Sequence, residues 1–243
     1  MLQEVMGLAR RAIDDYDMID ENDKIAIGLS GGKDSLTMLH ALYNLKRYYP
    51  KKFDIMAITI HPGSDTFKTD ELEKLCDELG IEYVIYNSNI TKVVFDIRKE
   101  KNPCSLCANM RRGMLNSIAI EHGCTKIALA HHMDDVIETF LMSILLNGKV
   151  HTFSPVTYLS RSDVKVIRPF IYVPEKDIRA TARKLNYPVV GKCCPMDGYT
   201  KREYTKNLIH TLSKDIPKVK SHIFGAIKRS NIKGWEIKEK PNN

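Results

Sequence analysis

Nowhere in the 243 residues does an apolar run approach the ~18 residues that a membrane span requires. The first twenty residues alternate apolar with charged side chains, so they lack the unbroken apolar core of a signal peptide. Both absences predict a cytoplasmic protein without a membrane partner. Internal repeats and low-complexity tracts are missing too, which excludes a solenoid or a disordered array. Cysteine is scarce and unevenly placed, at 76, 104, 107, 124, 193 and 194. In a reducing compartment, clustered cysteines of this kind read as metal ligands or reactive thiols rather than disulfides. Acidic residues are in deficit, 30 against 37 basic ones, for a net charge of +7 and a pI near 9.0. That excess favours a polyanionic partner through counterion release, without establishing one.

What is present suffices for a core. At 43% hydrophobic content the chain can bury one sizeable α/β domain, with or without a small appendage. Leu2, Val5, Leu8, Ala9, Ala12 and Ile13 recur at helical spacing and predict an amphipathic N-terminal helix within residues 1–20. Short apolar segments at 24–30, 54–60, 82–86 and 126–130 predict strands, separated by helical stretches at 35–48, 70–79 and 108–122. Connections of that length imply a parallel, Rossmann-like sheet with right-handed crossovers over residues 21–173. Helical patterns at 175–185 and 204–213, an extended 187–191 and a Lys-rich end predict a small, mostly helical C-terminal extension over 174–243.

In such sheets ligands gather beyond the carboxyl ends of the strands, so the loops at 30–35, 61–64 and 131–135 are expected to share one crevice. The first loop, Ser30, Gly31, Gly32, Lys33, Asp34 and Ser35, joins a strand to a helix. Paired glycines let its backbone curl, and the helix start adds partial positive charge, which together make an anion cradle. It is not a Walker A loop, because Ile27 and Asp34 occupy positions where that pattern needs Gly and Ser or Thr. An incidental Gly-Gly turn is the bland alternative.

Ala130, His131, His132, Met133, Asp134 and Asp135 likewise follow a strand and precede a helix at 136–146. Carboxylates there suit Mg²⁺ held against phosphate oxygens, with Asp34, Asp134 or Asp135 as ligands. Either Asp134 or Asp135 could instead cap the helix. Adjacent histidines at a strand end point apart, so at most one is expected to face the crevice. Cys104 and Cys107 form a C-x-x-C motif in a loop that enters a helix carrying Arg111 and Arg112, an arrangement suited to metal or redox chemistry. Cys193 and Cys194 supply further thiolates from distant sequence, and four cysteines could equally make a structural zinc site. Cys76 and Cys124 read as core.

The hexapeptide at 30–35 has the S-G-G-x-D-S form of the PP-loop and resembles the N-type ATP-pyrophosphatases, which cleave ATP between its α and β phosphates. Together with PCSLC and ANMRRG at 103–113, ALAHHMDD at 128–135 and VIRPF at 166–170, it makes residues 20–195 similar to the tRNA 2-thiocytidine synthetases. That resemblance implies a tRNA sulfurtransferase that uses ATP, Mg²⁺ and a [4Fe-4S] cluster held by three cysteines. Adenylylation of a base carbonyl, the C2 carbonyl of a cytidine, would precede sulfur insertion with release of AMP and pyrophosphate. The resemblance makes Cys104 and Cys107 cluster ligands, with Cys194, or Cys193 as fallback, the third. It places ATP against Ser30, Gly31, Gly32, Lys33, Asp34, Ser35, Ile60 and Ala130, with Lys33, Asp134 and Asp135 catalytic and Asp34 and Asp134 on Mg²⁺. tRNA and a sulfur donor, either a cysteine desulfurase or sulfide, are the implied partners, and a homodimer is left open. Arg111, Arg112, Lys201, Arg202 and the basic tail are the expected tRNA footprint. The alternatives are another PP-loop enzyme such as a lysidine-type ligase, a cluster-dependent desulfurase, and a non-catalytic RNA-binding iron–sulfur protein.

Overall fold

The computed structural model describes residues 1–64, 66–98, 103–190 and 201–237. Its six strands are β1 (Asp23–Gly28), β2 (Phe53–His61), β3 (Glu82–Asn87), β4 (Lys126–Ala128), β5 (Val156–Leu159) and β6 (Val164–Ile167). They form one sheet in the order β3-β2-β1-β4-β6-β5, parallel except for the antiparallel β5–β6 pair. From β1 the chain first builds outward through β2 and β3. It then returns to β1's other side at β4, which makes the β1–β4 boundary the topological switch point.

Strand periodicity divides the interior in two. Ile25, Ile27, Ile55 and Ala57 face a large core, whereas Ala26, Met56, Ile58 and Ile127 face a smaller one. The large core takes in α1 (Leu2–Asp15), α2 (Lys33–Leu45) and α3 (Asp70–Leu79), together with α5 (Met133–Asn147) and α6 (Glu175–Lys184). The smaller core is covered by α4 (Pro103–Glu121) through Leu115, Ile118 and Ala119. Cys76 and Cys124 are both buried, and burial pushes their thiols up to about 12 and about 11.

The expected strands and helices form with ends shifted by a few residues, but two features depart from expectation. The hairpin β5–β6 had no strand signal beyond the VIRPF motif, because its strands have four residues each. The Lys-rich end contains α7 (Lys201–Asp215) and a further helix, α8 (Val219–Arg229), whose Phe224 and Ile227 are buried, while Lys220 pairs with Asp134 and Lys228 lies over the Tyr172 ring. Trp235 closes that side fully buried, edge-on to Tyr16 and Phe224, and donates from Nε1 to the Phe153 carbonyl at 3.2 Å. Among the described residues no helix is long and apolar enough to cross a membrane.

Candidate active site at the sheet switch point

The phosphate loop leaves β1 and turns through Gly31, whose φ of +74° disfavours any side chain. A Cβ there would also stand 2.6 Å from Val190 Cγ2, and the Val190 amide donates to the Gly31 carbonyl at 2.9 Å. Ser35 locks the loop from inside: its Oγ accepts from the Ser30 amide at 3.1 Å and donates to the Gly32 carbonyl at 3.0 Å. Gly32 is the extended N-cap of α2, so Lys33 and Asp34 open the helix, where unpaired N–H groups favour an anion. The Lys33 ammonium lies 2.9 Å from Asp34 and 3.2 Å from Glu175. Burial pulls the Lys33 pKa down, but the two carboxylates outweigh it and hold the ammonium above its ordinary value.

The second loop meets the first through His132. Its backbone amide donates to Asp135 Oδ2 at 3.0 Å and its Nδ1 accepts from the Asp135 amide, a reciprocal cap that starts α5. With Nδ1 accepting, the proton belongs on Nε2, which faces Asp34 Oδ1 at 3.8 Å. His131 turns the other way and tilts over Phe153 with ring centroids 5.0 Å apart. Burial first, and then the guanidiniums of Arg168 and Arg202, push its pKa well below the ordinary imidazole value against the opposing pull of Asp135. The two rings point apart: His131 lines the cavity beside the phosphate loop, whereas His132 is buried and turned toward Asp34.

Asp134 is buried and fully engaged: Oδ2 accepts from the Glu175 amide at 2.7 Å and Oδ1 from Lys220 at 2.6 Å. It therefore caps α6 and ties it to α8. Asp135 Oδ1 accepts from Arg202 at 2.9 Å, and Arg202 also reaches Glu138 at 3.2 Å. Sequence reasoning missed Glu175, the junction of this network, which pairs with Lys206 at 3.1 Å and Arg179 at 3.0 Å as well as with Lys33. Burial alone would raise its pKa, but Lys206, Lys33 and Arg179 draw it down to about 2. The only available signal was an acidic residue after Pro174 at a helix start.

On the opposite face, α4 begins at Pro103. Cys104 and Cys107 thus lie on the helix itself, one turn apart on one side, and not in a loop before it. Cys104 is exposed and Cys107 half-buried. Further along, Ala108, Arg111, Arg112, Leu115 and Asn116 line a cavity of about 240 Å³ whose other walls include Ser30, Ile60 and His131. Ala130 lies beside it, half-buried against the large core. Arg168, also missed as a site residue, is buried under Phe153 with its guanidinium 5.1 Å from the ring, and burial and Arg112 lower its pKa to about 10. Cys193 and Cys194 lie outside the described residues, and among the described residues no three His, Cys, Asp or Glu side chains gather as a metal site. The described chain stops at Val190 on the phosphate loop and resumes with Lys201 and Arg202 beside Asp135. Thiolates on α4, with further cysteines in the connection between those two points, fit an iron–sulfur group by donor type.

A β1–β4 switch point with a glycine phosphate loop on one side and an acidic loop on the other defines a PP-loop nucleotide-binding protein, and the family model for the PP-loop domain matches residues 6–208. Within that class, the chain belongs to the tRNA-cytidine(32) 2-sulfurtransferase family. It is 38% identical over 225 residues to the member from Citrifermentans bemidjiense, covering 91% of this chain and 88% of that protein. It is 37% identical over 222 residues to the one from Pseudomonas syringae, covering 90% and 81%. The U34-tRNA thiolase NcsA from Methanococcus maripaludis, solved with its [4Fe-4S] cluster, superposes with a TM-score of 0.75 at 29% identity over 93% of this chain and 77% of that one. An NH3-dependent NAD synthetase from Campylobacter jejuni has the same fold, with a TM-score of 0.51 at 17% identity and coverage of 100% of this chain and 99% of that one.

Proposed function

We propose that the protein thiolates a cytidine in tRNA, activating the base with ATP and depending on a [4Fe-4S] cluster. The observation that carries this reading is the pairing, around one switch point, of a strained-glycine phosphate loop with two cysteines one turn apart on α4. Fold alone would not distinguish it from other PP-loop enzymes. The α4 thiols and the family relationship do.

In this reading Gly31, Gly32 and the start of α2 cradle the nucleotide phosphates, and Lys33 leaves its carboxylates to meet them. Asp34, a half-buried carboxylate beside the loop, would hold Mg²⁺, whose charge would counter that of the phosphate oxygens. Asp135 keeps His132 oriented toward Asp34 through the α5 cap. Asp134 contributes by fixing α6, and with it Glu175, against Lys33. Cys104 and Cys107, with Cys194 as the third ligand and Cys193 as fallback, hold the cluster. When bound, it would supply a sulfur-binding iron centre. Arg111, Arg112 and Lys201, all exposed, and Arg202 at the edge of the acidic loop form the tRNA footprint. Phosphate contacts of that kind make tRNA affinity fall as salt rises.

The test is an anaerobic reaction of purified protein with ATP, Mg²⁺, sulfide and unmodified tRNA, followed by mass analysis of the nucleosides and of the nucleotide products. A thiolated cytidine together with AMP and pyrophosphate is the expected result. Release of ADP and phosphate, or an unthiolated tRNA pool with an intact cluster, would overturn the reading.

A further inference from the structure

Lys33 is the cation of the phosphate loop, yet it is already matched by protein. Asp34, its neighbour in sequence, lies 2.9 Å from the ammonium, and Glu175, brought in by α6, lies 3.2 Å away. Glu175 is only 8% exposed, and with its pKa drawn down to about 2 it is ionised throughout the neutral range. A buried carboxylate with a single partner is stranded when that partner leaves, which is strongly unfavourable. Glu175 is built differently, because Arg179 at 3.0 Å and Lys206 at 3.1 Å share its charge with Lys33. Both of these cations line an open groove of about 800 Å³ among α5, α6, α7 and α8, and their side chains are 49% and 42% exposed. Neither is locked by packing, so both can close on the carboxylate when Lys33 departs.

We infer that Glu175 is a positioning residue for the phosphate loop: it withholds Lys33 while the loop is empty, yields it to the nucleotide phosphates, and competes for it again as pyrophosphate leaves. This deepens the proposed function and rests on its reading that Lys33 meets those phosphates. The exchange moves no proton. Lys33 trades one anion for another, while Arg179 and Lys206 keep Glu175 matched. Two consequences of opposite sign follow. Removing the charge of Glu175 frees Lys33 and tightens polyphosphate binding, whereas removing Lys206 turns Glu175 more fully onto Lys33 and weakens it. A residue that only held α6 in place would weaken binding in either case.

Calorimetric titration of magnesium pyrophosphate into the full-length protein without tRNA tests this in wild type, Glu175→Gln and Lys206→Met, and in both variants combined with Lys33→Gln. Glu175→Gln is expected to bind about fivefold more tightly, the upper end for a partly exposed ion pair, and to release pyrophosphate more slowly by a similar factor. Lys206→Met should bind about threefold more weakly. In the Lys33→Gln protein both substitutions should lose most of their effect, because the ammonium through which they act is gone. Unchanged or weaker binding by folded Glu175→Gln overturns the inference and leaves the proposed function standing. Tightening that persists undiminished without Lys33 does the same, since Glu175 would then act only as a general negative charge. Should Glu175→Gln fail to fold, Lys206→Met decides: weaker binding that depends on Lys33 supports the inference, and unchanged binding overturns it. Equal pyrophosphate binding by wild type and Lys33→Gln overturns the role given to Lys33 in the proposed function, and the inference with it.

Discussion

Lys33 of the phosphate loop lies 3.2 Å from Glu175, the first residue of α6, so the nucleotide loop and the C-terminal helices meet in one ion-pair cluster. Glu175 holds three cations at once. Replacing it with Gln would leave Lys33, Arg179 and Lys206 facing one another around a neutral amide. A loss of about 2 kcal/mol is expected, below the roughly 3–5 kcal/mol for a fully buried pair because Arg179 and Lys206 are partly exposed to water. For a chain of this size that corresponds to a melting temperature lower by roughly 5 °C.

The same cluster sets a pH signature. The folded Glu175 pKa is depressed to about 2, so its contribution is full above the ordinary carboxylate range and disappears as pH falls toward the folded value. The difference in melting temperature between wild type and Glu175→Gln should hold steady from pH 6 to pH 8 and shrink as pH is lowered from about 5 to about 3. Thermal unfolding of both proteins across that range checks it. A gap that grows on acidification would refute the assigned charge state.

Lys126 is 2% exposed, at the start of β4, and pairs with Asp23 at 2.5 Å and Asp20 at 2.7 Å. Asp23 is itself buried at the start of β1. Lys126→Ala strands that carboxylate, and breaking a buried pair from one side costs about 3–5 kcal/mol. Denaturant unfolding should show the loss. Adding Asp23→Asn to the same protein should restore part of it, because the uncompensated charge is then gone.

Gly31 meets two constraints in one place, a φ of +74° and a Val190 methyl 2.6 Å from where a Cβ would sit. Gly31→Ala is expected to cost about 1–3 kcal/mol in backbone strain and to displace the chain at Val190. Val190→Ala removes the methyl at 2.6 Å but keeps its Cβ at 2.9 Å, and leaves the backbone angle as it is. The double variant should therefore regain part of the stability of Gly31→Ala but not all of it, and ATP titration should show weakened binding in both. Full recovery would mean that the backbone angle is immaterial.

The sheet was legible in the sequence because β1, β2, β3 and β4 are apolar runs bounded by helices, and period-2 alternation carries directly into the two cores. The phosphate loop was legible because the whole S-G-G-x-D-S hexapeptide stands between a strand and a helix, more than a bare Gly-Gly turn requires. β5 escaped because it has four residues and none of them is buried, and α8 because its apolar stretch is short and flanked by basic residues, although Phe224 and Ile227 are buried. The sequence pattern placed Cys104 and Cys107 in a loop that enters the helix. Proline is instead favoured in the first turn of a helix, and α4 starts there. Glu175 and Arg168 were not legible as site residues, since each acquires its neighbours only when distant segments meet.

Two aspartates were candidates for the same metal, and their surroundings separate them. Asp134 spends both oxygens on protein, one on the Glu175 amide and one on Lys220, and is 5% exposed. Asp34 sits at the phosphate loop, with Lys33 its close partner and His132 at 3.8 Å. A hard divalent cation needs carboxylate oxygens that can leave their partners without stranding a buried charge, which Asp34 satisfies and Asp134 does not. Asp34→Asn is therefore expected to raise the Mg²⁺ concentration needed for half-maximal ATP binding by about tenfold, the size of a lost charged ligand, while the melting temperature stays near wild type. Asp134→Asn should do the reverse. It uncaps α6 and leaves Lys220 without its partner, a loss of about 2 kcal/mol that appears in thermal melts, with the Mg²⁺ midpoint little moved. Titrating Mg²⁺ at fixed ATP on both variants, beside their unfolding curves, separates the roles. A shifted Mg²⁺ midpoint in Asp134→Asn, with its stability intact, would return the metal to Asp134.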